Sequence, residues 1–282
     1  LVDGDVTDIS SITEIVGDFK PDMFFHLAAQ SHVGKSWKYP VATSEITGMG
    51  TLNCLEAVRI ASPKTRFYFA GSSEQFGNVS DGSFMLNENS PMQPESPYAV
   101  AKLFGFHMTR TYRRSYGIHA SNGILFNHSS PLRGEEFVTR KITMGLSRIK
   151  HGLQEYIELG NLDSKRDWGH AKDAVRAMYL MLTQPEPDDY VIATGKTYSV
   201  RDFLIEACKY FELDPNNVIR INKNLLRPKD VNVLIGDASK AKERLGWSPT
   251  IDFKQLVHGM CDYDNLYCHP DQYERALAEE YI

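Results

Sequence analysis

Arg66-Phe67-Tyr68-Phe69-Ala70-Gly71-Ser72-Ser73-Glu74-Gln75-Phe76-Gly77 carries the decision about the fold. Phe67 to Ala70 are aromatic or small and apolar, and Gly71-Ser72-Ser73 ends the run. An apolar run of strand length without polar alternation suits a strand covered on both faces. Upstream, Met23-Phe24-Phe25-His26-Leu27-Ala28-Ala29 repeats the pattern after Pro21-Asp22. Between the two, Ile46, Met49, Leu52, Leu55 and Val58 recur at helical spacing, which predicts a helix over residues 43–61. Downstream, Ser96-Pro97 supplies an N-cap and a first-turn proline, and Gly117 a C-terminal stop. Ile118 to Phe126 reads as the next strand. Strands alternating with helices in this way predict a doubly wound parallel α/β sheet.

The second half is less regular. Phe137 to His151 is predicted helical and is stopped by Gly152. His170 to Thr183 is predicted helical with Val175, Met178 and Leu182 on one face. Tyr190 to Ala193 reads as a strand. Ser199 with Asp202 three residues on has a capping-box pattern, opening a helix to Phe211. A last helix is predicted from Phe253 to Tyr267. There are no internal repeats and no low-complexity segments.

Of the 282 residues, 42% are hydrophobic and 24% charged, ordinary values for a chain that buries a core. A net charge of −5 argues against a nucleic-acid or anionic-membrane surface but leaves room for local cation clusters. Cys54, Cys208, Cys261 and Cys268 form no CxxC pair and no zinc-type spacing with His, so reduced thiols, no metal and a cytoplasmic setting are expected. No apolar run has the ~20 residues of a spanning helix.

The chemistry is concentrated in Tyr98-Ala99-Val100-Ala101-Lys102. Tyr and Lys four apart share a helix face, and any surface helix can carry such a pair. Here Ser72 stands at the end of the preceding buried strand. An ammonium beside a phenol favours phenolate, which predicts a lowered Tyr98 pKa. Ser, Tyr and Lys together form the acid–base unit that hydride transfer at an alcohol carbon requires. Glu74 alone reads as a loop carboxylate. Its position two residues after Ser72, at the carboxyl end of a strand, is where open α/β sheets bind ligands.

These residues resemble the Ser/Thr–Tyr–Lys triad of the extended short-chain dehydrogenase/reductases. Ala70 to Gly77 is similar to the segment that carries a catalytic Glu in nucleotide-sugar 4,6-dehydratases. Gly123-Ile124-Leu125-Phe126-Asn127-His128-Ser129-Ser130-Pro131-Leu132-Arg133-Gly134, Phe137 to Lys141, Leu159 to Gly169 and Tyr190 to Gly195 resemble the GDP-mannose 4,6-dehydratase family in particular. The likeness runs along nearly the whole chain to about Trp247.

The resemblance implies a Rossmann-like sheet and conversion of GDP-mannose to GDP-4-keto-6-deoxymannose, with Ser72, Glu74, Tyr98 and Lys102 as the catalytic group. It implies a NADP cofactor, NAD staying open, held by Asp5, Val6, Leu27, Ala28, Ala29, Gln30, Ser31, Lys102, His128 and Arg133. It implies a GDP-sugar pocket lined by Asn127, Val138, Lys141, Asn161, Arg166, Arg227 and Asp230. Asp230 stands where many members carry Glu, and Ser72 where many carry Thr. No nucleic-acid or membrane partner is implied, and a homodimer or homotetramer is.

Members begin with a strand, a Gly-rich turn and a helix that holds the cofactor pyrophosphate. No GxGxxG or GxxGxxG occurs among these residues. The expectation is a sheet without its N-terminal edge. Residues 1–128 would form a partial dinucleotide-binding domain, and residues 129–282 a smaller, mainly substrate-binding α/β region interleaved with it. Two alternatives stand beside this reading: a related 4-keto-sugar reductase or epimerase, which needs no second base, and an inactive fragment that only binds sugar nucleotide.

Overall fold

The structure, a computed structural model, describes residues 1–268. Asp8 opens α1 (Ile9–Phe19) by accepting hydrogen bonds from the amides of Ser10 and Ser11. β1 (Met23–His26) leads through α2 (Val33–Lys38), α3 (Pro40–Thr43) and a π-helical turn (Ser44–Met49) into α4 (Gly50–Ala61). β2 (Arg66–Ser72) ends in a 3₁₀ turn (Ser73–Phe76) and is followed by α5 (Pro97–Tyr116), β3 (Ala120–Leu125) and β4 (Asn127–Ser129). Then come α6 (Val138–Lys150), β5 (Ile157–Leu159), β6 (Lys165–Arg166), β7 (Trp168–His170), α7 (Ala171–Thr183) and β8 (Asp189–Ile192). The rest is β9 (Tyr198–Ser199), α8 (Val200–Phe211), α9 (Pro215–Val218), β10 (Ile219–Ile221), a 3₁₀ turn (Lys223–Leu225), α10 (Ser239–Leu245) and α11 (Phe253–Tyr267).

The main sheet runs β1-β2-β3-β8 with every pair parallel. Ser72 pairs with Leu125 and Leu125 with Ile192, so three strands end level. Alternation along β2 explains why its sequence lacks a polar face. Phe67 and Phe69 pack with Ile12 of α1, Leu55 of α4 and Phe106 of α5. Tyr68 and Ala70 pack on the other face with Met178 and Leu182 of α7 and Leu245 of α10. Helices on both faces bury every β2 side chain beyond Arg66. Gly105 brings α5 onto the sheet: a Cβ there would stand 2.6 Å from the Phe69 ring.

A further core gathers Ile142 and Leu146 of α6, Phe203 and Leu204 of α8 and Val257 and Met260 of α11 around Trp168. Asp264 ties α11 to α6. Arg140 Nε lies 2.6 Å from its carboxylate, and the Thr143 hydroxyl donates to it across 2.5 Å. Burial nevertheless lifts Asp264 to about 6. Residues 269–282 of the expected substrate-binding region lie outside the described residues.

Several boundaries differ from expectation for local reasons. β1 stops at His26, and Gln30 organises the loop that follows: its side chain donates to His32 O and Thr43 Oγ1 and accepts from the His32 amide. The helix predicted over 43–61 contains a π turn, within which Thr47 presents its hydroxyl to the Gln30 amide at 3.0 Å. Met178 and Leu182 are buried as expected, but Val175 is 59% exposed. The Ser199–Asp202 capping box forms with both of its hydrogen bonds.

Candidate active site

The carboxyl ends of β1, β2 and β3 open into a cleft of about 570 Å³. β2 delivers Ser72 as its last residue. Ser72 also caps the 3₁₀ turn: its hydroxyl accepts from the Glu74 amide at 3.3 Å, and Gln75 Oε1 accepts from the Ser72 amide at 3.2 Å. That turn brings Glu74, only 8% exposed, to the cleft wall. Opposite, Ser96 caps α5 by accepting from the Ala99 amide at 3.1 Å, which fixes Tyr98 at the start of the helix and Lys102 one turn on. Ser72, Glu74, Tyr98 and Lys102 all line this cleft.

The expected lowering of Tyr98 by Lys102 is not what the structure shows. Burial pushes the Tyr98 phenol up to about 12; the Ser72 hydrogen bond and the Arg133 charge pull it back only in part. Lys102 donates instead to the Ala70 carbonyl at 2.7 Å, its ammonium 5.9 Å from the Tyr98 ring centre. Burial in turn brings Lys102 down to about 8. Desolvation outweighs pairing for both groups.

Leu27, Ala29, Ser31, His128 and Arg133 line the same cleft. His128 Nδ1 donates to the Phe126 carbonyl at 3.0 Å, and burial lowers its pKa. Arg133 stacks on Phe137 at 3.8 Å from the ring centre. Four expected cofactor positions lie outside the cleft lining. Asp5 turns its carboxylate to the Thr7 amide and hydroxyl, both at 2.8 Å. Val6 packs against the core, with its carbonyl accepting from Asn53. Ala28 is exposed beside the cleft, and Gln30 is spent on its own loop.

Asn127, Val138, Lys141, Asn161, Arg166, Arg227 and Asp230 line it too. Asp230 is their hub. Its Oδ1 accepts from Arg166 Nη2 and Arg227 Nη1, each at 3.0 Å, and its Oδ2 accepts from Ser164 at 3.0 Å. Arg166 is also 3.8 Å from Glu74 Oε1, which brings the cation cluster to the carboxylate beside Ser72. Arg140, within the Phe137 to Lys141 stretch, turns away into its pair with Asp264. Sequence reasoning missed His32, Glu136, Ser164, Leu225 and Leu226, which also line the cleft. Ser164 sits inside a stretch already singled out; Leu225 and Leu226, apolar yet 44% and 51% exposed, gave no polar signal to read.

The residues present fit the nicotinamide-ribose end of a dinucleotide, while the Gly-rich turn that would hold its pyrophosphate does not occur among them. Among the described residues Lys102 has one hydrogen-bond partner, the Ala70 carbonyl, and carries two further N–H donors suited to a ribose diol. Among the described residues Asn127 Oδ1, in the same cleft, has no hydrogen-bond partner.

A parallel sheet with Ser, Tyr and Lys gathered at the carboxyl ends of its strands defines a short-chain dehydrogenase/reductase. The chain belongs to the GDP-mannose 4,6-dehydratase family: the family model of that description matches residues 1–260. It is 46% identical to GDP-mannose 4,6 dehydratase of Drosophila melanogaster, over 93% of this chain and 70% of that one. It is 47% identical to GDP-mannose 4,6 dehydratase 1 of Arabidopsis thaliana, over 93% of this chain and 73% of the relative. In fold it is similar to RMD from Pseudomonas aeruginosa, solved in complex with NADPH: the TM-score is 0.85 at 24% identity, over 94% of this chain and 88% of that one.

Proposed function

We propose that this chain converts GDP-mannose to GDP-4-keto-6-deoxymannose. The observation that carries the reading is a buried carboxylate, Glu74, two residues after Ser72 in the cleft that also holds Tyr98 and Lys102. Alcohol oxidation alone requires no such base.

In this reading Tyr98 takes the proton of the C4 hydroxyl as the phenolate, which the positive charge of an oxidised nicotinamide bound beside it would favour over the buried resting phenol, with Ser72 hydrogen-bonded to the same oxygen. A nicotinamide held in the cleft would supply the acceptor for the C4 hydride and its donor at C6. Glu74 takes the C5 proton, acidified by the adjacent C4 carbonyl, and gives it to the departing C6 hydroxyl, so that water leaves. A proton exchangeable with solvent returns to C5. The balance is loss of one water with no net oxidation. Arg166 and Arg227, gathered by Asp230, supply the cations that a sugar diphosphate needs, and Arg forks match phosphate oxygens.

The cofactor we assign is NADP, with Lys102, His128, Arg133 and the Leu27–Ser31 segment beside it; this rests on the family. Pairing of copies is supported by α5, which leaves Val100 and Phe104 exposed at 54% and 38% one turn apart. A reducing, cytoplasmic setting is supported by four unpaired cysteines, three of them buried. No helix among the described residues is long and apolar enough to cross a membrane.

The test is incubation of the chain with GDP-mannose and NADP, followed by mass spectrometry and proton NMR of the sugar. Loss of one water with a new C6 methyl signal supports the reading. An isomer of unchanged mass would move the assignment to an epimerase, and binding without turnover to the fragment reading.

A further inference from the structure

Beyond the expected site residues, one exposed side chain grips the substrate wall from the catalytic side. Asn78 follows the 3₁₀ turn that carries Glu74, separated from it by Gly77. Gly77 has φ +65°, and a Cβ there would collide with the Gln93 carbonyl, so the chain leaves this turn in one direction only. Asn78 then reaches across to residues 230–232. Its Nδ2 donates to the Asp230 carbonyl at 3.2 Å, and its Oδ1 accepts from the Asn232 amide at 2.8 Å. The amide therefore holds the backbone on both sides of Val231, as a neighbouring strand would.

The contacts close into a ring. Asn78 holds the backbone of Asp230, and the Asp230 carboxylate holds Arg166 and Arg227 at 3.0 Å each. Arg166 is further pinned by the Val231 carbonyl at 2.7 Å, within the same gripped segment, and its Nη2 comes back to 3.8 Å from Glu74. The segment has a second clip: Lys165 and Asn232 are joined backbone to backbone at 2.8 Å. That clip fixes 230–232 to β6. Among the described residues, the Asn78 side chain supplies the hydrogen bonds that fix this segment to the turn bearing Glu74.

We propose that Asn78 is a positioning residue that sets the Arg166–Asp230–Arg227 cluster, to which the proposed function assigns the sugar diphosphate, against Glu74. The inference deepens the proposed function and rests on it for the identity of the sugar nucleotide. Asn78 touches neither Ser72, Tyr98 nor Lys102 in the hydrogen-bond network, so its loss leaves the hydride-transfer group in place. It is also exposed, so truncating it removes no core packing.

The experiment compares the full 282-residue chain with Asn78→Ala and Asn78→Asp. The readouts are calorimetric affinity for inorganic pyrophosphate, KM and kcat for GDP-mannose, and melting temperature. Removing the two hydrogen bonds is expected to weaken pyrophosphate binding and raise KM by about tenfold, with kcat changed by less than about threefold and melting temperature nearly unchanged. Asp keeps the acceptor for the Asn232 amide, loses the donor and adds charge near Asp230, so Asn78→Asp is expected to be no better than Ala. Pyrophosphate affinity and KM unchanged in both variants would overturn the inference, as would a wild-type chain that does not bind pyrophosphate. Equal falls in kcat and melting temperature without a KM effect would also overturn it, by making Asn78 merely structural. A wild-type chain that binds pyrophosphate, weakened by Asn78→Ala, yet leaves GDP-mannose unchanged would sink the proposed reaction and leave the positioning role standing.

Discussion

Lys102 donates a 2.7 Å hydrogen bond to the carbonyl of Ala70, fastening α5 to the strand that ends in Ser72. The ammonium is buried, and burial brings its pKa from 10.5 down to about 8. Its proton is thus lost in the folded protein at a pH where an exposed lysine keeps it. Between about 8 and 10.5 the unfolded chain holds more protons than the folded one, so this group's contribution to stability rises with pH over that window and is lost as pH falls through about 8.

For activity the sign is opposite. If the positive charge beside Tyr98 serves the reaction, kcat/KM falls as the pH rises through about 8. Lys102→Arg keeps its charge and is expected to retain weak activity with the alkaline limb moved upward by two or more units, on the order of the gap between Lys and Arg. The pH profiles of the two proteins check this. Coincident alkaline limbs would assign the fall to another group.

Tyr98→Phe removes the proton acceptor while keeping the ring that fills the site. A loss of about 10²–10⁴-fold in kcat is expected, the usual worth of a positioned acid–base group. Melting temperature should hardly change. Since burial places the phenol at about 12, ultraviolet difference titration of the cofactor-free protein against the variant should show no Tyr98 phenolate near neutral pH. A phenolate signal near neutrality would restore the expectation that Lys102 alone lowers it.

His26 gives the fold an acid weakness. It lies between Phe67 and Phe69, at 6.0 and 6.1 Å from their ring centres, with Nε2 3.0 Å from Thr51 Oγ1. Thr51 spends its own proton on the Thr47 carbonyl, so Nε2 is the donor. Burial, helped by the Lys102 charge, lowers its pKa from 6.5 to about 3. The stability this group contributes is complete above 6.5 and is lost as pH falls toward about 3. Asp264, raised from 3.8 to about 6, acts with the opposite sign over part of that range. The comparison must therefore be between variants. The fall in melting temperature from about pH 7 to pH 5 should be smaller for His26→Asn than for the parent. An equal fall in both would place the acid sensitivity elsewhere.

The sheet was legible in the sequence wherever burial on both faces produced an unbroken apolar run, as at Phe67 to Ala70. Helix ends were legible wherever a cap was written locally, as at Ser96-Pro97 and Gly117. The π turn was not: within it Thr47 meets Gln30, a partner 17 residues away that no local pattern announces. At the site, residue types at fixed spacing revealed the Ser72–Tyr98–Lys102 group, while family resemblance supplied Arg166, Arg227 and Asp230. What no spacing could show is that one carboxylate gathers both arginines, or that desolvation outweighs the Lys102 charge at Tyr98. Those outcomes depend on burial, which tertiary packing alone decides.

Gly105→Ala tests whether α5 must lie this close to β2. The new methyl would stand 2.6 Å from the Phe69 ring and 3.1 Å from Thr51 Oγ1, so either α5 lifts or Phe69 turns. Overpacking of this kind costs roughly 1–3 kcal/mol, only partly offset by the better helix propensity of Ala, about 1 kcal/mol. Urea unfolding should show a net loss. Turnover should fall further than stability implies, because Tyr98 and Lys102 ride on the same helix. A variant as stable and as active as the parent would show that the contact relaxes without cost.

Glu74→Gln separates oxidation from elimination. Gln preserves the shape of the side chain and can still accept a hydrogen bond from Arg166, but it cannot serve as a carboxylate base. Ser72, Tyr98 and Lys102 are untouched, so chemistry at C4 stays available. With C5 deprotonation blocked, water does not leave from C6. Loss of a general base costs roughly 10²–10⁴-fold in rate. Product amount alone would not distinguish a blocked elimination from a misfolded variant, so three measurements are needed together. Melting temperature should stay close to that of the parent, because Arg166 keeps its stronger contact with Asp230 at 3.0 Å. Pyrophosphate affinity should persist, because both arginines remain in the cluster. In D₂O the parent should yield product carrying deuterium at C5, and the variant should show neither product nor C5 exchange in recovered GDP-mannose. Dehydration by a folded variant within a few-fold of the parent rate would remove Glu74 as the base, and with it the observation on which the proposed reaction rests.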